Sequence, residues 1–304
     1  MTVRAAGRVL PLLLAACAAA PRWQDDLTAA LSAARAGHRD LVVFFTLAGR
    51  DASDRMQQRL GDPLVLAALA DGGFDAVVCD GFVRQNLYKQ WVGFGEGMGV
   101  AVLDGSGRVY ATRPGPQDPP EFAAFVRLCA ASRAAVAAAR TAAAIATARP
   151  EDRYRYGCLL QQLGNRNEAE PLLLDAAYAG LADARHRVAR LYAVDGNLVA
   201  ARRWLATCLP GPAVQVTEGY LLFRERRHGE AVAVLEKALA GRDLGEDRQR
   251  AQLFLGKALH EVRRDADAVR VLEGLAGEGT GSTFEGAALH TLGHIKNPEP
   301  DHTH

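Results

Sequence analysis

Apolar positions follow one pattern in the first half of the chain and a different one in the second. In the first half, residues 41–45 are a continuous apolar run, which predicts a strand buried on both faces. Residues 74–78 predict a second buried strand. Residues 100–103 and 108–111 flank the turn 104–107, whose glycines tolerate a positive φ, and this arrangement predicts a β-hairpin. The first half is therefore expected to be an α/β domain.

Helices are predicted before, between and after these strands. Apolar residues recur at helical spacing over residues 23–38, and residues 51–60 predict a second helix. A third helix begins at residues 121–129 and is prolonged by an alanine-rich stretch that Pro150 ends. We interpret this stretch as a connector between the two halves of the chain.

The second half repeats a pair of small residues at intervals of 30 to 37 residues. Each pair consists of a small residue and an alanine twelve positions later. The pairs are Gly157 with Ala169, Ala189 with Ala201, Gly219 with Ala231, and Gly256 with Ala268. Two antiparallel helices approach closely only where small residues stand at the contact, so the pattern predicts stacked helical pairs.

Two segments carry these small residues together with the turn and apolar positions: "YGCLLQQLGNRNEAEPLLLDAA" and "VARLYAVDGNLVAARRWLATC". They resemble the tetratricopeptide repeat (TPR), a helix-turn-helix unit of about 34 residues. The resemblance covers about four and a half units over residues 151–293, and residues 283–292 form the capping half-unit. Arg226 and Arg263 stand where the third and fourth units should have a turn glycine.

This resemblance implies a concave groove, lined by the first helix of each pair, that binds a protein or peptide partner. Polar residues of those helices are the candidate groove residues: Arg153, Arg155, Gln161, Arg187, Arg190, Glu218, Gln252 and His260. The excess of arginine among them favours an acidic ligand or a C-terminal carboxylate. The alternative is that these residues form an ordinary solvated face.

The strings "LVVFFT", "FDAVVCD" and "VAVLDGSGRVYA" follow one another in the first half. They resemble the thioredoxin-like superfamily over about residues 22–132. That family carries a C-x-x-C motif after the first central strand, and its two cysteine places fall here on Arg50 and Ser53. The family's cis-proline place falls on Met98 or Gly99. The resemblance therefore implies this fold without dithiol exchange, which needs an attacking and a resolving thiol.

Several features of this region leave alternatives open. Asp51 or Ser53 caps the following helix, or Ser53 binds an anion or acts as a nucleophile. The alternating glycines of "GFGEGMG" form a flexible loop, or they let a peptide backbone approach. Cys79 and Cys129 are expected to be packed thiols, and a disulfide between them is permitted in an oxidising compartment without being implied by their spacing.

The N-terminus resembles a bacterial lipoprotein signal. Arg4 and Arg8 precede a short apolar stretch that ends in the lipobox-like run Leu-Ala-Ala-Cys, in which Cys17 is the lipidated residue. This implies a lipid-anchored protein of the bacterial periplasm, at the outer rather than the inner membrane because Ala18 follows the cysteine. The alternatives are cleavage a few residues later to give a soluble periplasmic protein, and a cytosolic chain with a chance motif.

The expected fold is an α/β thioredoxin-like domain, with a central mixed sheet flanked by helices, followed by an all-α TPR-type superhelical solenoid. The expected segments are a signal peptide at 1–16, a linker at 17–21, the thioredoxin-like domain at 22–132, a connecting helix at 133–150, repeats at 151–293 and a disordered tail at 294–304.

Composition narrows the function classes. The chain has 36 basic and 35 acidic residues, so its net charge of +1 provides no basic field for nucleic acid. The cysteines lack metal-ligand spacing, the histidines of the repeats occupy differing repeat positions, and we expect neither a metal nor a cofactor. The sequence favours a non-enzymatic adaptor or scaffold. The alternatives are a thiol-linked or chaperone-like protein that uses Cys79 or Cys129, and a structural envelope protein whose first domain is a spacer.

Overall fold

The computed structural model describes residues 22–93, 97–241, 244–245, 247–278 and 283–297. The predicted signal peptide, the linker and Cys17 lie outside these residues, as do residues 298–304 of the predicted tail. The described chain forms an N-terminal mixed sheet with helices, followed by an all-helical region. This confirms the expected order of an α/β part before an all-α part.

The sheet has five strands among the described residues. In chain order they are β1 (Trp23–Gln24), β2 (Leu41–Thr46), β3 (Asp75–Asp80), β4 (Gly99–Leu103) and β5 (Val109–Pro114). Their order across the sheet is β1-β3-β2-β4-β5. The first three strands are parallel, and β4 pairs antiparallel with both β2 and β5. Every residue of β2 is buried, which agrees with its continuous apolar run.

Helices pack on both faces of this sheet. They are α1 (Leu27–Gly37), α2 (Asp51–Arg59), α3 (Pro63–Gly72), α4 (Gln85–Trp91) and α5 (Pro119–Ala144). Alternate residues of each strand face opposite sides: one core contains Val42 and Phe44 against α2, α3 and α5, and the other contains Val43 and Phe45 against α1 and α4. The sequence analysis missed α3 and α4.

The first predicted helix begins four residues later than expected. Trp23 and Gln24 pair with β3, so they form an edge strand rather than a helical turn. The helix starts after Asp26, whose carboxylate accepts hydrogen bonds from the backbone N–H groups of Thr28 and Ala29. The apolar residues of 23–38 therefore belong to two elements, the strand β1 and the helix α1, and a pattern of helical spacing did not separate them.

Nine helices follow in the described residues. They are α6 (Pro150–Gln162), α7 (Arg166–Tyr178), α8 (Ala182–Val194), α9 (Leu198–Leu205), α10 (Pro212–Arg224), α11 (His228–Ala240), α12 (Asp247–Glu261), α13 (Asp265–Ala276) and α14 (Thr283–Lys296). Successive helices pack against each other, and α8, α10, α12 and α14 also contact one another in series. The array consists of four helical pairs and a final single helix.

The predicted small residues stand at the helix crossings. A Cβ atom on Gly219 would lie 2.5 Å from Cγ of Leu235, and one on Gly256 would lie 2.5 Å from Cγ of Leu272. Gly157 meets Leu173 in the same way, at 2.9 Å. This confirms that the periodic glycines admit a leucine from the second helix of each pair.

The turns within the pairs repeat one backbone conformation. Gly164 and Gly196 have φ values of 77° and 80° in the first two turns. Arg226 and Arg263 have φ values of 62° and 64° in the next two, where the sequence analysis placed the missing turn glycines. A left-handed conformation is unfavourable for a residue with a Cβ atom, so these two turns are strained.

The first helical pair closes the outer edge of the sheet. The backbone N–H of Thr112 in β5 donates to the Leu163 carbonyl at 2.9 Å, and the Thr112 hydroxyl donates to the Gly164 carbonyl at 2.6 Å. The Asn165 amide donates to the Val109 carbonyl at 3.0 Å. One apolar core runs from the sheet through α5 into α6, α7 and α8. The two regions are thus packed as one body.

The predicted connecting helix is part of this packing. Residues 133–144 continue α5, and Val136 and Ala139 are buried. The helix ends at Ala144, however, and Pro150 is the first residue of α6, so the expectation of one helix that runs to residue 150 and ends at Pro150 is wrong. Arg133 donates to the buried Asp40 carboxylate at 2.7 Å, and Arg140 forms an ion pair with Asp104. By length and composition alone α5 could cross a membrane. In this structure it packs on the sheet, and its Arg133 and Arg140 form ion pairs with Asp40 and Asp104.

The last helix extends into the predicted tail. α14 ends at Lys296, and Ile295 packs against the apolar cluster beneath it. Residues 294–296 are therefore helical, and the expectation of a tail beginning at residue 294 is wrong for these three.

Candidate functional sites: the cleft at the sheet end and the inner face of the helical array

The places assigned from the thioredoxin pattern meet at one end of the sheet. Arg50 stands at the start of α2, and Met98 directly precedes β4. Together they line an open cleft of about 450 Å³. The remaining lining residues are Leu47, Gly49, Asp51, Ala52 and Arg55. The structure therefore brings Arg50 and Met98 to the same cleft.

Ser53 does not offer its hydroxyl to this cleft. The residue is 1% exposed, and its Oγ atom accepts a hydrogen bond of 2.7 Å from the backbone N–H of Leu47. Arg50, not Asp51 or Ser53, occupies the N-cap position of α2. The predicted capping role is therefore wrong: Ser53 fixes the loop after β2, and this buried position does not suit a nucleophile.

The glycine-rich segment before β4 allows close contact between parts of the chain itself. Gly97 has a φ of 87°, and a Cβ atom on the facing Gly81 would lie 1.8 Å from the Gly97 carbonyl oxygen. Gly99 has a φ of 156° and faces the backbone of β5. Residues 94–96 lie outside the described residues. No cis peptide bond occurs in the described part of the chain, which includes the Met98 place.

Two large apolar side chains project beside this end of the sheet. Phe82 is 77% exposed and Val83 is 76% exposed. The carboxylate of Asp80, the last residue of β3, accepts from both of their backbone N–H groups, at 2.8 and 3.1 Å. The turn is thus fixed with both side chains outward, which is a feature that strand patterning did not reveal.

The two cysteines of the sheet region lie on opposite faces of the sheet. Cys79 belongs to the core under α1 and α4, and Cys129 belongs to the core under α3 and α5. A disulfide between them is therefore excluded by the sheet itself. Burial raises the pKa of the Cys79 thiol to about 11, and it raises the pKa of the Cys129 thiol further. Both are protonated at neutral pH and are poor nucleophiles.

The helical array places polar residues on one shared side, which we call the inner face. It comprises Tyr154 of α6, His186, Arg187 and Arg190 of α8, Thr217 of α10 and Asp247 of α12. Tyr154 is hydrogen-bonded to Arg187, and His186 Nε2 lies 2.7 Å from the Thr217 hydroxyl oxygen. Arg190 forms a buried ion pair with Asp247, which links α8 to α12 past α10.

Three arginines act electrostatically on His186 of the inner face. Burial lowers the pKa of His186 to about 3, and the charges of Arg190, Arg187 and Arg250 lower it in the same direction. His186 is therefore neutral at pH 7. Of these arginines, Arg190 forms the ion pair with Asp247 and Arg187 is hydrogen-bonded to Tyr154.

The candidate groove residues divide between this face and other environments. Arg187 lies on the inner face, and Arg155 is an exposed residue at the equivalent position of α6. Arg190 is 4% exposed, so its assignment as an exposed groove residue is wrong: it is consumed in the ion pair with Asp247. Arg153 and Gln161 are half-buried in α6.

Of the remaining three candidates, Glu218 and His260 face a second helix or a turn, and Gln252 is half-buried. Glu218 acts electrostatically on Arg202 of α9, so it faces the neighbouring pair. His260 Nδ1 lies 2.6 Å from the Asp265 carboxylate across the turn into α13. Gln252 is half-buried, and its Oε1 atom is enclosed.

Sequence reasoning missed His186, Thr217 and Asp247. A comparison of equivalent repeat positions would have found the first two, because His186 stands one position before Arg187, and Arg187 and Thr217 occupy the same position of successive units. Asp247 begins α12 after a longer connection, and its distance of 57 residues from Arg190 leaves no local signal.

Comparison with known proteins adds no family assignment. No family model matches the chain, and no curated protein is significantly similar to it.

Proposed function

We propose that this protein is a non-enzymatic adaptor or scaffold that binds another protein through a TPR-type helical array. The observation that carries the proposal is the inner face, on which equivalent positions of α6, α8 and α10 bear polar side chains that connect one helix to the next. A surface made of repeated positions is continuous over several helices, and such a surface suits an extended partner segment.

The partner chemistry follows from the charges on this face. Arg187 lies on this face and Arg155 is exposed at the equivalent position of α6, and guanidinium groups favour carboxylate ligands because two parallel N–H donors match two oxygens. We therefore propose an acidic segment or a C-terminal carboxylate of the partner as the ligand.

The sheet region, in this proposal, is a thioredoxin-like domain without redox activity. The support is the parallel β1-β3-β2 arrangement with an antiparallel β4–β5 hairpin, together with Arg50 and the buried Ser53 at the two cysteine places. Its role is to hold the array at a fixed position, since the first helical pair is bonded to β5. A domain that served only as a spacer would be replaceable by an inert one.

The proposed location is the bacterial periplasm, with a lipid on Cys17 and sorting to the outer membrane. The support is the sequence of the N-terminus alone. Several acyl chains on one cysteine would hold the protein firmly at a membrane, at about 0.8 kcal/mol per buried CH₂.

Charge reversal on the inner face tests the adaptor proposal. We expect Arg187→Glu to abolish capture of the main partner from crosslinked envelopes, because an acidic ligand would then meet a like charge. Arg203→Glu, at an exposed position of α9, is the matched control and should leave capture unchanged. Equal capture by both variants would refute a role for the inner face.

The second candidate function is thiol-linked activity through Cys79 or Cys129. The raised pKa values of both thiols and their burial disfavour it. Catalysed reduction of insulin by dithiothreitol, lost on Cys79→Ala, would support this second candidate and contradict the first.

A further inference from the structure

Two histidines lie side by side on the last helix. His290 and His294 stand four residues apart on α14, which places them on one face of the helix. Both are exposed, their ring centroids are 4.5 Å apart, and their Nε2 atoms are separated by 3.3 Å. Neither histidine belongs to the inner face or to the lining of the cleft at the sheet end, and the adaptor function does not use the pair.

The separation of the two nitrogen atoms matches one coordination geometry. Zinc binds imidazole nitrogen at about 2.0–2.1 Å and prefers four tetrahedral ligands, so two of its nitrogen ligands lie about 3.3 Å apart. Adjacent ligands of a square-planar ion at the same bond length would lie about 2.9 Å apart. The observed 3.3 Å agrees with the tetrahedral value.

We propose that His290 and His294 form a binding site for Zn²⁺ through their Nε2 atoms. Neutral imidazole is a common zinc ligand, and two imidazoles one helical turn apart chelate a single ion without a change of backbone. This site is independent of the proposed function.

The backbone beneath the pair is held in place. Ala288 and Leu292 are buried against α13, and Lys296 donates to the Glu273 carboxylate at 2.7 Å. These contacts fix α14 on both sides of the histidines, so the two ligands are positioned before the ion arrives. Such preorganisation reduces the entropy lost on binding.

Two coordination positions remain for other donors. Within the described residues, no group of three or more His, Cys, Asp or Glu side chains suits a metal. Water can fill the open positions, as in zinc sites that keep an exchangeable ligand. His302 and His304 follow in the sequence, outside the described residues, so a test must remove their imidazoles.

Zinc titration of the purified full-length chain tests this site. In a background with His302→Asn and His304→Asn, we expect one Zn²⁺ per chain in competition with a chromophoric chelator. His290→Asn and His294→Asn should each weaken binding at least about tenfold, because loss of even an outer-shell partner costs that much. Thr291→Asn, on the same helix, is the control and should bind as the background does.

Cobalt supplies a readout of the geometry. Co²⁺ in a four-coordinate site absorbs visible light much more strongly than in a six-coordinate one, so an intense band is expected with the background chain and not with His290→Asn. Zinc affinity unchanged in the His290→Asn, His294→Asn double variant would overturn the proposal. Failure of the background chain to bind zinc would also overturn the proposal and would show that the two imidazoles form only a hydrogen bond with each other. Partner capture is measured separately and does not decide this test.

Discussion

The cleft at the sheet end and the inner face of the helical array use their polar groups in different ways. At the sheet end, the Ser53 hydroxyl accepts from the Leu47 N–H and the Asp80 carboxylate accepts from the N–H groups of Phe82 and Val83, so these groups fix their own loops. On the inner face, His186 bonds to Thr217 in the next pair, and Arg190 reaches Asp247 two pairs away. The contacts at the sheet end stabilise individual loops, whereas those on the inner face connect successive helical pairs.

The two regions therefore differ in how a candidate functional site is recognised. At the sheet end the candidate site is one cleft, lined by Arg50 and Met98, and only the proposed thioredoxin-like fold gives it a functional meaning. A helical array has no single inherited position, and its candidate surface is defined by side chains at equivalent places of successive helices.

Removal of one partner of the buried ion pair should have the largest effect. Asp247→Ala would leave the Arg190 guanidinium buried beside two other arginines, and we expect a loss of about 3–5 kcal/mol in the free energy of unfolding. Urea unfolding followed by circular dichroism measures this loss. Asp265→Ala, which removes an exposed carboxylate near His260, is the control and should cost less than about 1 kcal/mol. Equal losses would show that the inner face is not a stabilising network.

The junction between the two regions should be the next most sensitive place. In Gly164→Ala the new methyl group would stand 2.1 Å from the Thr112 carbonyl oxygen, at a φ of 77°. We expect a loss of about 3 kcal/mol and a thermal transition that separates into two, because the clash is with the backbone of β5.

The matched control for the junction is Gly196→Ala. Its φ of 80° is nearly the same, but the nearest atom to its Cβ is the end of the flexible Arg224 side chain, at 3.4 Å. It should cost only the backbone strain of about 1 kcal/mol and keep one transition. If both variants behave alike, the sheet and the array are not coupled through β5.

Stability should fall in mild acid because of His186. Its pKa is about 3 in the folded chain against 6.5 for an ordinary histidine, so the unfolded chain takes up a proton first as the pH falls. The contribution of His186 is complete above pH 6.5 and is lost between about pH 6.5 and 3, which amounts to about 2 kcal/mol at pH 5.

Urea unfolding at pH 7 and pH 5 measures this effect, with His186→Gln expected to lose about 2 kcal/mol less than the parent chain. His38→Asn, at an exposed turn of the sheet region, should lose as much as the parent. Carboxylates with lowered pKa values, such as Asp104, affect all three chains equally. An identical fall in the His186→Gln chain would mean that the imidazole is not buried.

The strained turns should give the smallest effect, and it should be a gain. Arg226→Gly relieves a φ of 62° and is expected to raise the free energy of unfolding by about 0.5–1 kcal/mol. Arg226→Ala keeps the Cβ atom and should give no such gain. A gain from both would indicate that the arginine side chain, rather than the backbone, is unfavourable.

The sequence predicted those parts of the fold that depend on short-range patterns. The continuous apolar run at 41–45 located β2, the mostly apolar segment 74–78 located β3, and the interval between small residues located the crossings at Gly219 and Gly256. The edge strand β1 was missed because two residues carry no period, and its pairing depends on β3 more than fifty residues away. Apolar helices such as α3 resemble any buried segment and gave no separate signal.

The candidate sites were predictable only where they follow a family pattern or a repeat. The pattern located the cleft through Arg50 and Met98, but the inward turn of Ser53 depends on the loop that it bonds. Arg187 was found as a polar residue of a first helix, whereas the burial of Arg190 depends on Asp247. The four-residue spacing of His290 and His294 places them on one face of a helix and could have revealed the pair from the sequence. It was missed because the histidines were compared by their repeat positions.

Site-specific photocrosslinking compares partner binding at the inner face and at the cleft in one experiment. A photoreactive residue in place of Arg155 stands on the inner side of α6, and one in place of Arg50 stands in the cleft. We predict a discrete crosslinked partner from position 155 in intact cells and none from position 50. A partner captured at position 50 and not at position 155 would contradict the account.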